Sequence, residues 1–178
     1  MRYIAFLRAI NVGGHVVKMD RLREFFESLG FENVETYIAS GNVVFDSGAR
    51  NAAGLEAKIA KHLEAGLGYP VATFLRNTME LAAVAAFDPF PGANGEVLYI
   101  GFLAKALTKE QERALMAFRT DVDDFRVHER EVYWSCAIRS SDSTFSLARF
   151  ERALKIEASF RNVNTVRKMA EKYASTGY

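Results

Sequence analysis

Val34-Glu35-Thr36-Tyr37-Ile38-Ala39-Ser40-Gly41-Asn42-Val43-Val44-Phe45 is the stretch on which the fold turns. Residues 34–38 and 43–45 are rich in β-branched and aromatic side chains, which favour a pleated strand. Ala39-Ser40-Gly41-Asn42 between them reads as a turn, with the Gly-Asn pair supplying positive φ angles. Two strands joined this tightly are antiparallel neighbours. Working outward, Leu22, Phe25, Phe26 and Leu29 fall at i, i+3, i+4 and i+7, the stripe of an amphipathic helix. Asp20 suits the positive end of that helix and Gly30 its C-terminal stop. Before it, residues 3–7 are almost wholly apolar and read as a central strand buried on both faces. After the hairpin, Leu55, Ile59 and Leu63 mark a second helix ending near Gly66 and Gly68, and residues 71–75 follow Pro70 as a strand. Strand, helix, strand, strand, helix, strand is the order of a ferredoxin-like split βαβ unit.

Asn77 and Glu80 predict a capped short helix through Ala86, and Asp88-Pro89-Phe90-Pro91-Gly92 then breaks all regularity. The same order begins again beyond it. Residues 97–103 read as a strand, and Thr108 with Gln111 forms a capping-box pattern. Residues 125–128 and 132–136 read as two strands, and Leu147, Phe150 and Leu154 stripe another helix. Residues 160–165 look too polar for a closing strand and lead into a last helix carrying Val166, Met169 and Tyr173. The expected architecture is therefore α+β: two tandem βαββα(β) halves of ferredoxin-like type, with antiparallel sheets and helices packed on them. The first half, βαββαβ, spans residues 1–87. The second, βαββα with an extra C-terminal helix, spans residues 93–174. Element order suggests internal duplication, and either two cores or one shared core is compatible with it.

Composition narrows the function classes. Apolar residues make up 49% of 178, with 14 Phe and 7 Tyr, enough for a packed core and contrary to disorder. Net charge is +1, which argues against a dedicated nucleic-acid binder. Cys136 is the single cysteine, so there is no intrachain disulfide and no thiolate metal cluster. No metal or cofactor is expected. Arg8 interrupts the N-terminal apolar run too early for a signal peptide, and no stretch approaches the ~20 apolar residues of a membrane helix. A cytoplasmic protein without membrane contact is expected, its oligomeric state open.

Three phrases occur together: Arg8-Ala9-Ile10-Asn11-Val12-Gly13-Gly14, Tyr37-Ile38-Ala39-Ser40-Gly41-Asn42-Val43-Val44-Phe45 and Arg161-Asn162-Val163-Asn164-Thr165-Val166. Their order and spacing resemble the DUF1697 family, bacterial proteins whose function is not established. The resemblance implies an α+β fold with a repeated architecture. It implies no reaction and no catalytic residues.

Candidate site residues come from the same loops. Arg8, Asn11, Gly13 and Gly14 lie between a strand and a helix, where glycine N–H groups and an arginine can meet an anion. Ser40 and Asn42 belong to the hairpin turn and serve it first as turn formers. Arg161, Asn162 and Asn164 precede a helix, where they can cap it or receive an anion. Between residues 149 and 172, seven basic side chains face three acidic ones, which reads first as a solvated helical face. Trp134 and Cys136 share one strand face, so Cys136 reads as core rather than nucleophile. His15, His62 and His128 show no metal-ligand spacing. Asp121, Asp123 and Asp124 read as capping the next strand. The leading expectation is a protein binding an anionic, phosphate-bearing small molecule through these Asn/Gly/Arg loops. The alternatives are an enzyme of unidentified reaction using His15, and a weak nucleic-acid binder.

Overall fold

Residues 1–11, 13–38, 41–93 and 96–174 are described by a computed structural model of the chain. In chain order the elements are β1 (Arg2–Leu7), α1 (Met19–Glu27), β2 (Glu32–Thr36), β3 (Asn42–Asp46), α2 (Ala52–Leu67), β4 (Thr73–Asn77) and α3 (Thr78–Ala86). There follow β5 (Val97–Phe102), α4 (Lys109–Met116), β6 (Asp123–His128), β7 (Glu131–Cys136), α5 (Leu147–Leu154), β8 (Ser159–Asn162) and α6 (Val163–Ala174). The protein is α+β, in two similar halves, each with a four-stranded antiparallel sheet. Residues 1–82, with those from Met169 on, form one compact unit; residues 83–168 form the other.

In the first unit the strand order is β2-β3-β1-β4. Strand β1 pairs on both sides: Ile4 lies opposite Val44 on β3 and opposite Arg76 on β4. Alternation then sorts its side chains. Tyr3, Ala5 and Leu7 join Val43, Phe45 and Leu75 in a core with Leu22 and Phe26 of α1 and Leu55, Ile59 and Leu63 of α2. Each such burial contributes about 1.5–3 kcal/mol. The rings of Phe31 and Phe45 stack at 4.4 Å in this core. On the alternate face Ile4, Phe6, Val44, Phe74 and Arg76 are buried as well. Strand β1 is thus buried on both faces, as its unbroken apolar run predicts.

Local chemistry sets the ends of the helices. Asn51 accepts from Gly54 N at the start of α2, and Gly68, at φ 84°, ends it. Asn77 Oδ1 accepts from Glu80 N while Glu80 Oε2 accepts from Asn77 N, a reciprocal cap that opens α3. Thr108 and Gln111 form the same device at α4.

The second unit repeats the order as β6-β7-β5-β8. Its core gathers Val132, Trp134 and Cys136 of β7 with Phe125, Leu115, Phe150 and Leu154. Strand β8 corrects the sequence expectation, since a closing strand does follow α5. Its register on β5 sets Arg161 opposite Ile100 and Asn162 opposite Tyr99. Four residues ending in Arg-Asn carry too little apolar alternation to announce a strand; pairing with the buried β5 supplies what composition lacks. Gly101 makes room for this pairing, because a Cβ there would stand 2.6 Å from the Phe160 ring.

The hairpin differs too. Strand β2 ends at Thr36 because Ile38 turns to φ 58°, and Asn42 is the first residue of β3, not part of the turn. Its Nδ2 donates to Tyr37 O at 3.0 Å, so the amide braces the turn from within the sheet.

Asp123 is not a solvated cap. It is buried, and Trp134 Nε1, Ser143 Oγ and Thr120 Oγ1 donate to its carboxylate at 2.8–2.9 Å. Burial alone would raise this carboxyl; the donors together bring it below its ordinary 3.8. A carboxylate lowered on folding stabilises above its unfolded-state value, and that contribution is lost as pH falls through the folded-state value. Asp123→Ala should therefore cost about 3 kcal/mol, read by urea unfolding followed through Trp134 fluorescence. Asp123→Asn should flatten the acid limb of stability against pH; an unchanged limb would mean that the carboxylate's charge contributes nothing there.

Candidate functional site

Two of the predicted loops meet at one end of the first sheet. Strand β1 leaves through Leu7, whose N–H donates to Gly41 O, and Arg8, whose N–H donates to Ala72 O, both at 2.9 Å. The chain then turns sharply at Ala9, φ 55°, and buries Ile10. A Cβ on Gly41 would lie 2.8 Å from Ile10 Cγ2 and 3.3 Å from Leu7 Cβ, so the two loops are in close contact. Tyr69 O–H donates to Ile10 O at 2.8 Å, and the His15 ring stacks on Tyr69 at 3.9 Å. Burial raises the Tyr69 phenol above its ordinary value, which keeps it a donor. Asn11 Oδ1 accepts from Val17 N at 2.9 Å and closes the loop on itself. Gly13 and Gly14, at φ 69° and 81°, are exposed, and neither N–H donates to another described residue. Arg8 is half-buried beside this frame. Asn42, bound to Tyr37, positions the turn; Ser40 lies outside the described residues.

Arg161, Asn162 and Asn164 belong to the second unit. Arg161 Nη1 donates to Ser159 Oγ at 2.8 Å and to Phe160 O at 2.9 Å, within its own strand. Burial lowers its guanidinium to about 10. Asn162 Oδ1 accepts from Asn164 N at 2.9 Å and caps α6. Asn162 and Asn164 also line a cleft of about 390 Å³ with Asp88, Glu96, Ser135 and Arg167; Arg161 is not among its lining residues. Two carboxylates against one guanidinium make that cleft unsuited to a polyanion.

The basic residues of 149–172 do not form one face. They are spread over α5, β8, α6 and the residue that follows α5; Arg161 is half-buried, and Lys172 bridges Glu35 at 3.1 Å. The hydrogen bond from Lys172 holds the Glu35 carboxyl below its usual range. Ser28 Oγ lies 2.8 Å from His62 Nε2, a pairing that spacing in sequence did not suggest. The same hydroxyl also donates to Phe25 O at 2.8 Å, an interaction within the end of α1 that holds it in place. Cys136 is buried, and desolvation pushes its thiol up, as a core position requires. No group of three or more metal-binding side chains occurs among the described residues, and none of their helices is long and apolar enough to cross a membrane.

Sequence reading missed Asp88, Glu96, Ser135 and Arg167. They come from four separate segments, and no spacing links them. It also missed that Arg76-Asn77 and Arg161-Asn162 occupy equivalent positions in their separate sheets, which was visible as a repeated Phe…Arg-Asn ending a strand before a helix. In both sheets the arginine faces an isoleucine, Ile4 or Ile100, and the asparagine faces a tyrosine, Tyr3 or Tyr99.

The family model described as protein of unknown function, DUF1697, matches residues 1–133, well over half of the chain. The chain belongs to the DUF1697 family. Loop 8–14 and the hairpin turn of this DUF1697 protein fall inside the match, whereas β8 and α6 lie beyond it. The fold is similar to the solved structure of a conserved bacterial protein from Streptococcus pneumoniae, with a TM-score of 0.75 and 22% sequence identity over 96% of this chain and 97% of that one. At that identity the likeness concerns fold alone. No curated protein matches the chain.

Gly41→Ala tests the contact between the two loops. Strain at φ 79° and the clash with Ile10 should together cost about 1–3 kcal/mol. Amide resonances of Ile10 and Asn11 should move, while those of β7 stay in place. Unmoved Ile10 and Asn11 signals would show the loops to be independent.

Proposed function

We propose that this DUF1697 protein binds a small anionic, phosphate-bearing ligand through loop 8–14. The observation that carries the reading is the support of this loop at Ile10 by both Gly41 and Tyr69, with the Gly13 and Gly14 N–H groups committed to no other described residue. Successive backbone N–H groups in a positive-φ turn form a concave donor set that suits a phosphate oxygen. Preorganisation reduces the entropy lost on binding. Arg8 supplies the positive charge beside it. Asn42 is buried and bonded to Tyr37, and Arg161 is bonded within its own strand, so both serve as framework and the ligand contacts reduce to Arg8, Asn11, Gly13 and Gly14.

We also infer that each half is a ferredoxin-like unit and that the two arose by duplication. The order 4-1-3-2 in the first sheet, its repetition in the second and the shared Arg-Asn register support both statements. A single buried cysteine supports a cytoplasmic location, and the likeness to a conserved bacterial protein supports a bacterial origin.

The test is a thermal-shift series with inorganic phosphate, sugar phosphates and nucleotides at low and high salt. A ligand at 100 times its Kd stabilises by about 2.7 kcal/mol, a rise of about 5–10 °C for a chain of this size. One compound of this class should give such a shift, resistant to salt and lost in Arg8→Ala. No shift with any of them, or an equal shift in Arg8→Ala, would remove the loop as an anion site.

A further inference from the structure

The cleft of the second unit carries a different chemistry from loop 8–14 and shares no residue with it. Its walls come from the segment before β5, from β5 and β7, and from the start of α6. At about 390 Å³ it lies within the range of small-molecule sites, roughly 300–1,000 Å³. Three charged side chains line it: Asp88 and Glu96, and Arg167 on α6. All three are exposed, and among the described residues none makes an ion pair, although opposite charges share one cleft. Glu96 is held in place by a hydrogen bond from Ser135 Oγ, and Ser135 is itself buried on β7. Asp88 is fixed by accepting from Phe90 N. Arg167 stands on α6 one turn from Asn164, whose N–H is taken up by Asn162. Phe90, Val97 and Leu98 also line the cleft.

Opposite charges that share a cleft without pairing complement a ligand that carries both charges itself. We infer that this cleft binds a small zwitterion of the amino-acid class, with its ammonium against Glu96 and Asp88 and its carboxylate against Arg167. A phosphate dianion would meet two carboxylates for one guanidinium and is disfavoured here. A simple amine would leave Arg167 without an anion, and a simple carboxylate would leave the two acids without a cation. Phe90, Val97 and Leu98 are the lining residues that suit the ligand's apolar part.

The experiment is an NMR titration of the ¹⁵N-labelled full chain with single L-amino acids, each compared with the amine and the carboxylate lacking one of its charges. At least one amino acid should give saturable shifts at the amides of Ser135, Asn164 and Arg167. Its singly charged analogues should bind about tenfold more weakly or worse. Arg167→Gln and Glu96→Gln, both at exposed positions, should each weaken binding by about the same factor while leaving the melting temperature nearly unchanged. The inference is overturned if no amino acid shifts these amides, if a singly charged analogue binds equally well, or if inorganic phosphate shifts them and amino acids do not. Anion binding at loop 8–14 reads out at Asn11, Gly13 and Gly14, so failure at one site is distinguishable from failure at the other.

Discussion

Strands β1 and β5 are hydrogen-bonded on both sides, and the rest of each unit is arranged around one of them. A strand paired on both sides leaves its backbone no alternative partner, so its register fixes the registers of its neighbours. Residues 3–7 are buried without exception. A slip by one residue would exchange Tyr3, Ala5 and Leu7 for Ile4 and Phe6 against the helices and leave the volumes mismatched. The loop that leaves β1 inherits this rigidity. Leu7 N–H is tied to Gly41 O, and Ile10 is pinned two residues after Arg8. A polar loop held so closely on a packed sheet can keep its N–H groups in place without a ligand, which is what a binding loop on a scaffold requires.

The second constraint is electrostatic. Asp123 and Arg161 are ionisable groups removed from most of their water, and burial of a charge is costly unless hydrogen bonds replace it. Asp123 receives an indole, a hydroxyl from Thr120 and a hydroxyl from Ser143, so segments distant in sequence converge on one carboxylate. Arg161 donates to its own strand, and burial still lowers its guanidinium to about 10. Asp123 thereby holds particular segments together. An apolar contact of equal area would not choose its partners, whereas a buried carboxylate accepts only donors in the right place. The charges of the second unit's cleft are a contrasting case: they are exposed and form no ion pair among the described residues, and single hydrogen bonds reach Asp88 and Glu96.

How far the sequence could be read depended on the range of the interaction involved. Helix caps at Asn77 and Thr108 were legible because donor and acceptor lie three residues apart. The stripe of α5 was legible because period 3.6 is written in consecutive residues. Strand β8 was not, since Arg161 and Asn162 look like loop residues until β5 pairs with them. Asn42 looked like half of a turn and is the opening of β3. Among the site residues, the 8–14 loop stood out through its paired glycines. The cleft did not, because Asp88, Glu96, Ser135 and Arg167 lie on segments that share no spacing.

The sequence by itself determined the α+β class, the order of strands and helices as far as α5, the antiparallel hairpin and the presence of a polar glycine loop after the first strand. Each of these follows from periodicity, capping or turn chemistry, and all act over fewer than about ten residues. Tertiary structure alone decided that β8 closes the second sheet, that Asp123 is buried, that Gly41 rests on Ile10, and that two acids and an arginine share a cleft. Those outcomes depend on which surfaces meet once the strands pair. That choice is made by burial and packing across the sheet, which no local pattern encodes.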